Sequence, residues 1–250
     1  MSQAGTQAAI AALIRNPKSA QGKKFRHYIS QFSLTESEAA AVAALAKNSE
    51  VKKYGREQAE GRFELMMRSF MRINRVLDES LIYELWQDLF EPQALRVKSD
   101  YGGRNEYSLS FLRFLTTDME CRRILHDQDL PLLWDLLAFE IAELELGCAV
   151  PSSVELKQGS SLRHSHFRVL DLQFDVPAFI QSGYDVTQSF ARKFILLLVR
   201  EDASIQPRIF HIERSMRDFL LGSLMTEGPH LEVPHMTQEM QGDLHHMHLL

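Results

Sequence analysis

The stretch RKFILLLVREDASIQPRIFHIE, from Arg192 to Glu213, decides how the fold of this chain is to be understood. An apolar run from Phe194 to Val199 is followed by a polar connection that contains Pro207, and then by Arg208-Ile209-Phe210-His211-Ile212. Two such runs joined by a polar, proline-containing segment are typical of a β-hairpin. We therefore predict two antiparallel strands in this stretch.

A third strand and a helix complete a small module around the hairpin. In HFRVLDLQFDV, from His166 to Val176, apolar residues recur at every second position, which is the period of a strand. After the hairpin, apolar residues at helical spacing between Met216 and Leu224 predict a short amphipathic helix. Residues 160–225 are thus predicted to form a three-stranded antiparallel sheet with one helix.

The outer strand of this small sheet offers a possible binding edge. Because Phe194 to Val199 is apolar throughout, we expect one face to pack on the module's helix and the other on the preceding helices. An edge strand keeps unpaired backbone groups, to which an extended peptide can add as a further strand. An ordinary capped edge is the alternative. The predicted peptide-contacting residues are Phe194, Leu196, Leu198, Arg208, Phe210 and Ile212.

Helical patterns occupy the first 150 residues. An Ala-rich run ends at Arg15, and Thr35 with Glu38 forms a capping box, which marks a helix start. Apolar residues then recur at spacings of three and four between Arg56 and Phe90, as one long helix or two in series would require. A further helix is expected from Pro131 to Leu146.

The predicted fold class is α+β, with three parts in chain order. An N-terminal all-helical bundle (1–150) precedes the small α/β module (160–225), and a His-rich tail (226–250) without a sustained apolar period is expected to be flexible. The five tail histidines could bind a metal adventitiously, but the segment lacks a predicted structure that would fix the geometry of a metal site.

Composition limits the partners. The chain has 250 residues with 45% hydrophobic and 24% charged residues, which is ordinary for a globular protein. A net charge of −5 gives no overall attraction to nucleic acid phosphates, and no apolar run approaches the roughly 20 residues of a membrane helix. We therefore expect neither nucleic acid nor membrane as a partner. Two cysteines fit a reducing compartment, so a cytoplasmic location is expected.

No catalytic or metal-ligating constellation is predicted. The acidic helix around Glu140 and Glu143 has no Glu-x-x-His motif, which a di-iron carboxylate bundle needs for its nitrogen ligands. A solvated acidic face, or pairing of Glu140 with an arginine, is the favoured interpretation. Arg68, Arg72 and Arg75 lie three and four residues apart and could form one helical face for a partner, although pairing with nearby acids is the simpler reading.

Two helical segments resemble a known family. MRINRVLDESLIYELWQDLFEP (71–92) and LPLLWDLLAFEIAELEL (130–146) resemble the helical partner proteins of multinuclear non-haem iron-dependent oxidative enzymes. The similarity is greatest to the partners from methanobactin biosynthesis and related thiol-modifying peptide pathways, because these carry a C-terminal peptide-recognition-like portion. The residues that occupy the characteristic positions are Leu89, Phe90, Pro92, Pro131, Leu132, Asp135, Leu136 and Glu140.

The resemblance implies a division of labour between two proteins. Iron and oxidation chemistry would belong to a separate TIM-barrel enzyme subunit, with no cofactor in this chain. This chain would bind that enzyme, bind the leader of a ribosomally made precursor peptide, and present the peptide's cysteine for modification. Two alternatives are a DNA-binding regulator, with a winged-helix-like module that uses Arg214 and Arg217, and a helical metalloenzyme.

Overall fold

The computed structural model describes residues 3–15, 30, 32–69, 72–91, 104–148, 154–155, 161–162, 167–200, 207–224 and 237–247. These residues are mostly helical and include a three-stranded antiparallel sheet, so the predicted α+β class is confirmed. The chain divides into two compact units. The first unit comprises Met1–Met71 and Leu77–Arg104, and the second comprises Arg72–Val76 and Asn105–Leu250.

The first unit is helical. Thr35 starts one of its helices as predicted, because its side-chain oxygen accepts the Glu38 N–H while a Glu38 carboxylate oxygen accepts the Thr35 N–H at 2.8 Å. Each helix buries one stripe, and Trp86 is fully buried beside Phe63. The helices are α1 (Gln3–Arg15), α2 (Glu36–Lys47), α3 (Ser49–Met67) and α4 (Glu79–Glu84), which continues as a π-helical turn (Leu85–Phe90).

The periodic stretch between Arg56 and Phe90 forms two helices, with a change of structure between them. Helix α3 ends at Met67, a 3-10 turn occupies Ile73–Arg75, and Asp78 caps α4 by accepting the Ser80 N–H. Residues 72–76, which contain the 3-10 turn, belong to the second unit.

The second unit combines helices with the sheet. The elements are α5 (Arg104–Thr117), α6 (Met119–His126), α7 (Leu133–Cys148), β1 (Val154–Glu155), β2 (Ser161–Leu162), β3 (Phe167–Phe174), α8 (Val176–Gln181), β4 (Ala191–Val199), β5 (Arg208–Ile212), α9 (Arg214–Leu224) and α10 (Gln238–His246). The sheet has the order β3-β4-β5 with all neighbours antiparallel, so β4 is the central strand.

Both faces of the three-stranded sheet are covered, as the apolar β4 predicted. On one face, Leu197 and Val199 join a core with residues of α9 and of α10, including Leu220 and Leu244. On the opposite face, α7 contacts β3 and β4. Burial of each large apolar side chain stabilises such a core by about 1.5–3 kcal/mol. The sheet is therefore a middle layer between helices.

Two sequence-based expectations differ from the arrangement of the described residues. The predicted bundle ended at residue 150, yet α5 to α7 belong to the unit that contains the sheet, because α7 packs on it. The tail was expected to be flexible, yet α10 lies within it, and Leu244 of α10 and Met247 just after it are buried, with Met240 partly buried against the same core. Sequence analysis missed this helix because so few apolar residues form its buried face. His230, His235 and His248 lie outside the described residues.

Candidate functional site

The outer edge of β5 is the candidate binding site. β5 pairs with β4 on one side, from Ile195 opposite Ile212 to Val199 opposite Arg208. On its other side, no strand pairs with it among the residues that the structure describes. In an antiparallel ladder, alternate residues direct both N–H and C=O away from the partner strand, so the outer edge carries bonding groups at every second residue.

The predicted contact residues on β4 are placed in the core instead. Phe194, Leu196 and Leu198 are 8%, 1% and 0% exposed and lie on the face of the sheet toward α7. β4 is also bonded to a strand on each side, so its backbone has no open edge over residues 195–199. Burial thus removes these three side chains from the contact set. The sequence pattern could not reveal this, because apolar positions suit a core and a peptide pocket equally.

The predicted contact residues on β5 are more accessible. The Arg208 guanidinium lies 5.1 Å from the Phe210 ring centroid, and Phe210 is half-buried against the core. Ile212 is buried within that core. Ile209 and His211 lie between the three named contacts within the same predicted strand. Ile209 is 43% exposed, and His211 is exposed with its ring centroid 4.6 Å from that of Phe194.

Three cations gather at the end of β5 where Ile212 lies. Arg192 and Lys193 continue β4 beyond the last pair with β5, and Arg214 follows Ile212 by two residues. All three side chains are exposed, and none makes an ion pair with a described residue. Sequence reasoning missed this cluster, since only the strand register brings residues 192–193 close to residue 214. Arg217, in contrast, forms ion pairs with Asp171 and Asp218. One of the two arginines named for DNA binding therefore already has acidic partners.

The arginines predicted as a partner-binding stripe do not share one helix. Arg68 is the residue after α3. Arg72 directly precedes the 3-10 turn, and Arg75 is the last residue of that turn. Arg72 donates to Glu143, at 3.0 Å in one of its two contacts, and lies 5.2 Å from the Phe139 ring centroid. The simpler reading, structural pairing, therefore holds for Arg72. Arg68 and Arg75 remain exposed.

The carboxylates of α7 bind other parts of the second unit. Glu140 is 2% exposed and accepts the N–H groups of Arg72 and Ile73 at 3.2 and 3.1 Å. Glu143 lies beside it, and burial raises the pKa of Glu143, although Arg72 opposes that rise. The two acids thus fasten residues 72–73 to α7. This arrangement replaces the predicted solvated acidic face.

Two further carboxylates of α7 hold β3. Asp135 accepts the N–H groups of Gln173 and Phe174 at 2.7 and 2.8 Å, where the ladder with β4 is irregular, and burial raises the pKa of Asp135. Glu145 accepts from Arg113 and Arg168. Burial favours its neutral form, but the two guanidinium groups outweigh burial and lower the pKa of Glu145. These acids have structural partners.

The described residues contain no group of three or more side chains suited to hold a metal ion. Cys121 is buried, and burial raises its pKa to about 12, so its thiol is protonated at neutral pH. Among these same residues, no helix has both the length and the apolar composition needed to cross a bilayer.

Comparison with known proteins gives no family assignment. The sequence matches no protein-family model and no characterised protein.

Proposed function

We propose that this chain is a non-catalytic partner subunit that binds the leader of a ribosomally made precursor peptide and presents its cysteine to a separate iron-dependent oxidative enzyme. The outer edge of β5 carries the proposal, because it is an edge strand on a sheet whose two faces are held by helices. A rigid sheet lets a peptide add a strand without rearrangement of the core. The resemblance of segments 71–92 and 130–146 supplies the class of enzyme.

Peptide recognition in this proposal uses the strand backbone and the side chains on either side of it. Arg208 and Phe210 lie toward α9 and α10, and we add Ile209 and His211, which lie toward α7. Side chains of an added strand alternate between these two sides, so each side selects every second residue of the peptide. Arg68 and Arg75 are the predicted enzyme contacts that keep exposed side chains. Iron and the oxidation step belong to the enzyme.

A binding experiment with edge-blocking variants tests the proposal. The full chain is titrated into a dye-labelled leader of a candidate precursor peptide, with and without a candidate iron-dependent enzyme, and anisotropy is recorded. Proline removes the backbone N–H, and the outward N–H groups alternate along β5. Phe210 and His211 are consecutive, so their N–H groups point to opposite sides of β5. One of the two variants, Phe210→Pro or His211→Pro, therefore removes an outward N–H and keeps the fold, while the other removes a hydrogen bond of the ladder with β4.

The variant that keeps the native circular dichroism and melting transition is the informative one. We expect it to weaken leader binding by at least about tenfold, since proline on an edge strand removes a donor and its ring obstructs pairing. Glu36→Pro is the matched control, because it places proline at the first position of α2, where no intrahelical bond is lost. Unchanged leader affinity in the folded β5 variant would contradict the proposal, as would failure of the enzyme to bind the chain.

A further inference from the structure

One end of the β5 edge differs from the rest of this acidic protein. The net charge of the chain is −5, yet Arg192, Lys193 and Arg214 lie together at the Ile212 end with Glu213 as the exposed acid beside them. A cationic cluster that forms no ion pair with a described residue attracts anionic groups, and it does so most strongly at low ionic strength. The position of the cluster matters because it adjoins the edge where a peptide would add.

Strand geometry brings the cluster within reach of an added peptide. A strand added to β5 lies about 5 Å from β5 and about 10 Å from β4. Residues 192–193 extend past the end of β5, so their long side chains meet no intervening strand on that side. Leu172 pairs with Phe194 while Phe174 pairs with Ala191, so the ladder is irregular at residues 192 and 193, and these two cations lie where β4 bulges beside the end of β5.

We infer that the peptide bound at the β5 edge carries acidic side chains at the end that passes Ile212, where Arg192, Lys193 and Arg214 receive them. This inference rests on the proposed function and specifies its substrate. All pairs in the sheet are antiparallel, and an antiparallel addition places the N-terminal end of the peptide beside Ile212. The acidic residues therefore precede the pairing segment in the peptide sequence.

Synthetic peptides test the inference directly. Four dye-labelled probes share an alternating Thr/Val segment: one has three Asp residues at its N-terminus, one has them at its C-terminus, one has Asn in their place, and one has Lys. Three exposed ion pairs strengthen binding by about tenfold at low salt. We expect the N-terminal Asp probe to bind about tenfold tighter than the Asn probe, with the C-terminal Asp probe between them and the Lys probe weakest.

Two charge variants locate the effect. Arg192→Gln, Lys193→Gln and Arg214→Gln together remove the cluster, and the preference for the N-terminal Asp probe should disappear. The matched control removes three exposed cations from α3, with Lys52→Gln, Lys53→Gln and Arg56→Gln, and should retain the preference. Because the same number of charges is removed, overall electrostatics cannot explain a difference between the two variants.

The outcomes separate this inference from the function on which it rests. If the wild-type chain binds the Asp and Asn probes with equal affinity, and the folded proline variant of β5 binds neither, the acidic preference is overturned and strand addition is retained. An Asp preference that survives the proline variant overturns strand addition at this edge. No binding of any probe at millimolar concentration overturns both. Tighter binding of a single-stranded oligonucleotide than of the N-terminal Asp probe overturns the peptide assignment in favour of nucleic acid.

Discussion

Replacement of Glu140 by Gln tests how the 3-10 turn is held on α7. The carboxylate is 2% exposed, and each of its oxygens accepts one backbone N–H, from Arg72 at 3.2 Å and from Ile73 at 3.1 Å. Gln has the same shape, but its NH₂ group replaces one acceptor and opposes a buried N–H donor. Such a mismatch costs about 1–3 kcal/mol, and loss of the charge weakens the second bond by about 1 kcal/mol.

Relief of the buried charge offsets part of this loss, so we expect Glu140→Gln to lower the free energy of unfolding by about 2 kcal/mol. Urea denaturation followed by circular dichroism measures the change, and hydrogen exchange should report faster exchange at the amides of residues 72 and 73. Glu120→Gln is the control, because Glu120 forms an exposed ion pair with Arg123 that solvent screens. A Glu140→Gln change no larger than the control, with protection at residues 72 and 73 intact, would refute the reasoning.

Three further predictions concern the second unit. Leu197→Ala should lower the free energy of unfolding by about 2–5 kcal/mol in urea denaturation, because Leu197 is fully buried in the central strand. Glu145→Gln should destabilise the chain more at about pH 7 than at about pH 3. The pKa of this carboxyl is lowered in the folded state, so its ionised form stabilises the fold at pH values above its unfolded-state pKa, and that stabilisation is lost as the pH falls through the folded-state pKa. Cys121 should resist iodoacetamide in the native chain and react after denaturation, because its pKa is about 12.

Each of these has a clear contrary result. A loss below about 1 kcal/mol for Leu197→Ala would mean that the sheet core is not tightly packed. Equal destabilisation by Glu145→Gln across the pH range would mean that the ion pairs of Glu145 with Arg113 and Arg168 do not stabilise the fold. Alkylation of native Cys121, located by mass spectrometry against the half-buried Cys148, would show that its thiol is accessible and ionised.

Local patterns were sufficient for the secondary structure that they encode directly. The capping box at Thr35 specifies a helix start because both partners lie within four residues of each other. The alternation in 167–174 and the two apolar runs of the hairpin specify strands because side chains alternate across a sheet. The uniform apolar character of the run from Phe194 to Val199 also indicated that both faces of the sheet would be covered.

Tertiary structure decided which of those residues remain available to a partner. Leu196 and Ile209 are equally apolar, yet strand order buries the first in the centre and leaves the second 43% exposed at the edge. Glu140 became an acceptor for residues 72–73 across 67 and 68 positions of sequence. Residue identity and spacing fix what a segment can form, but burial and charge pairing depend on contacts between distant segments, and those arise only when the chain folds.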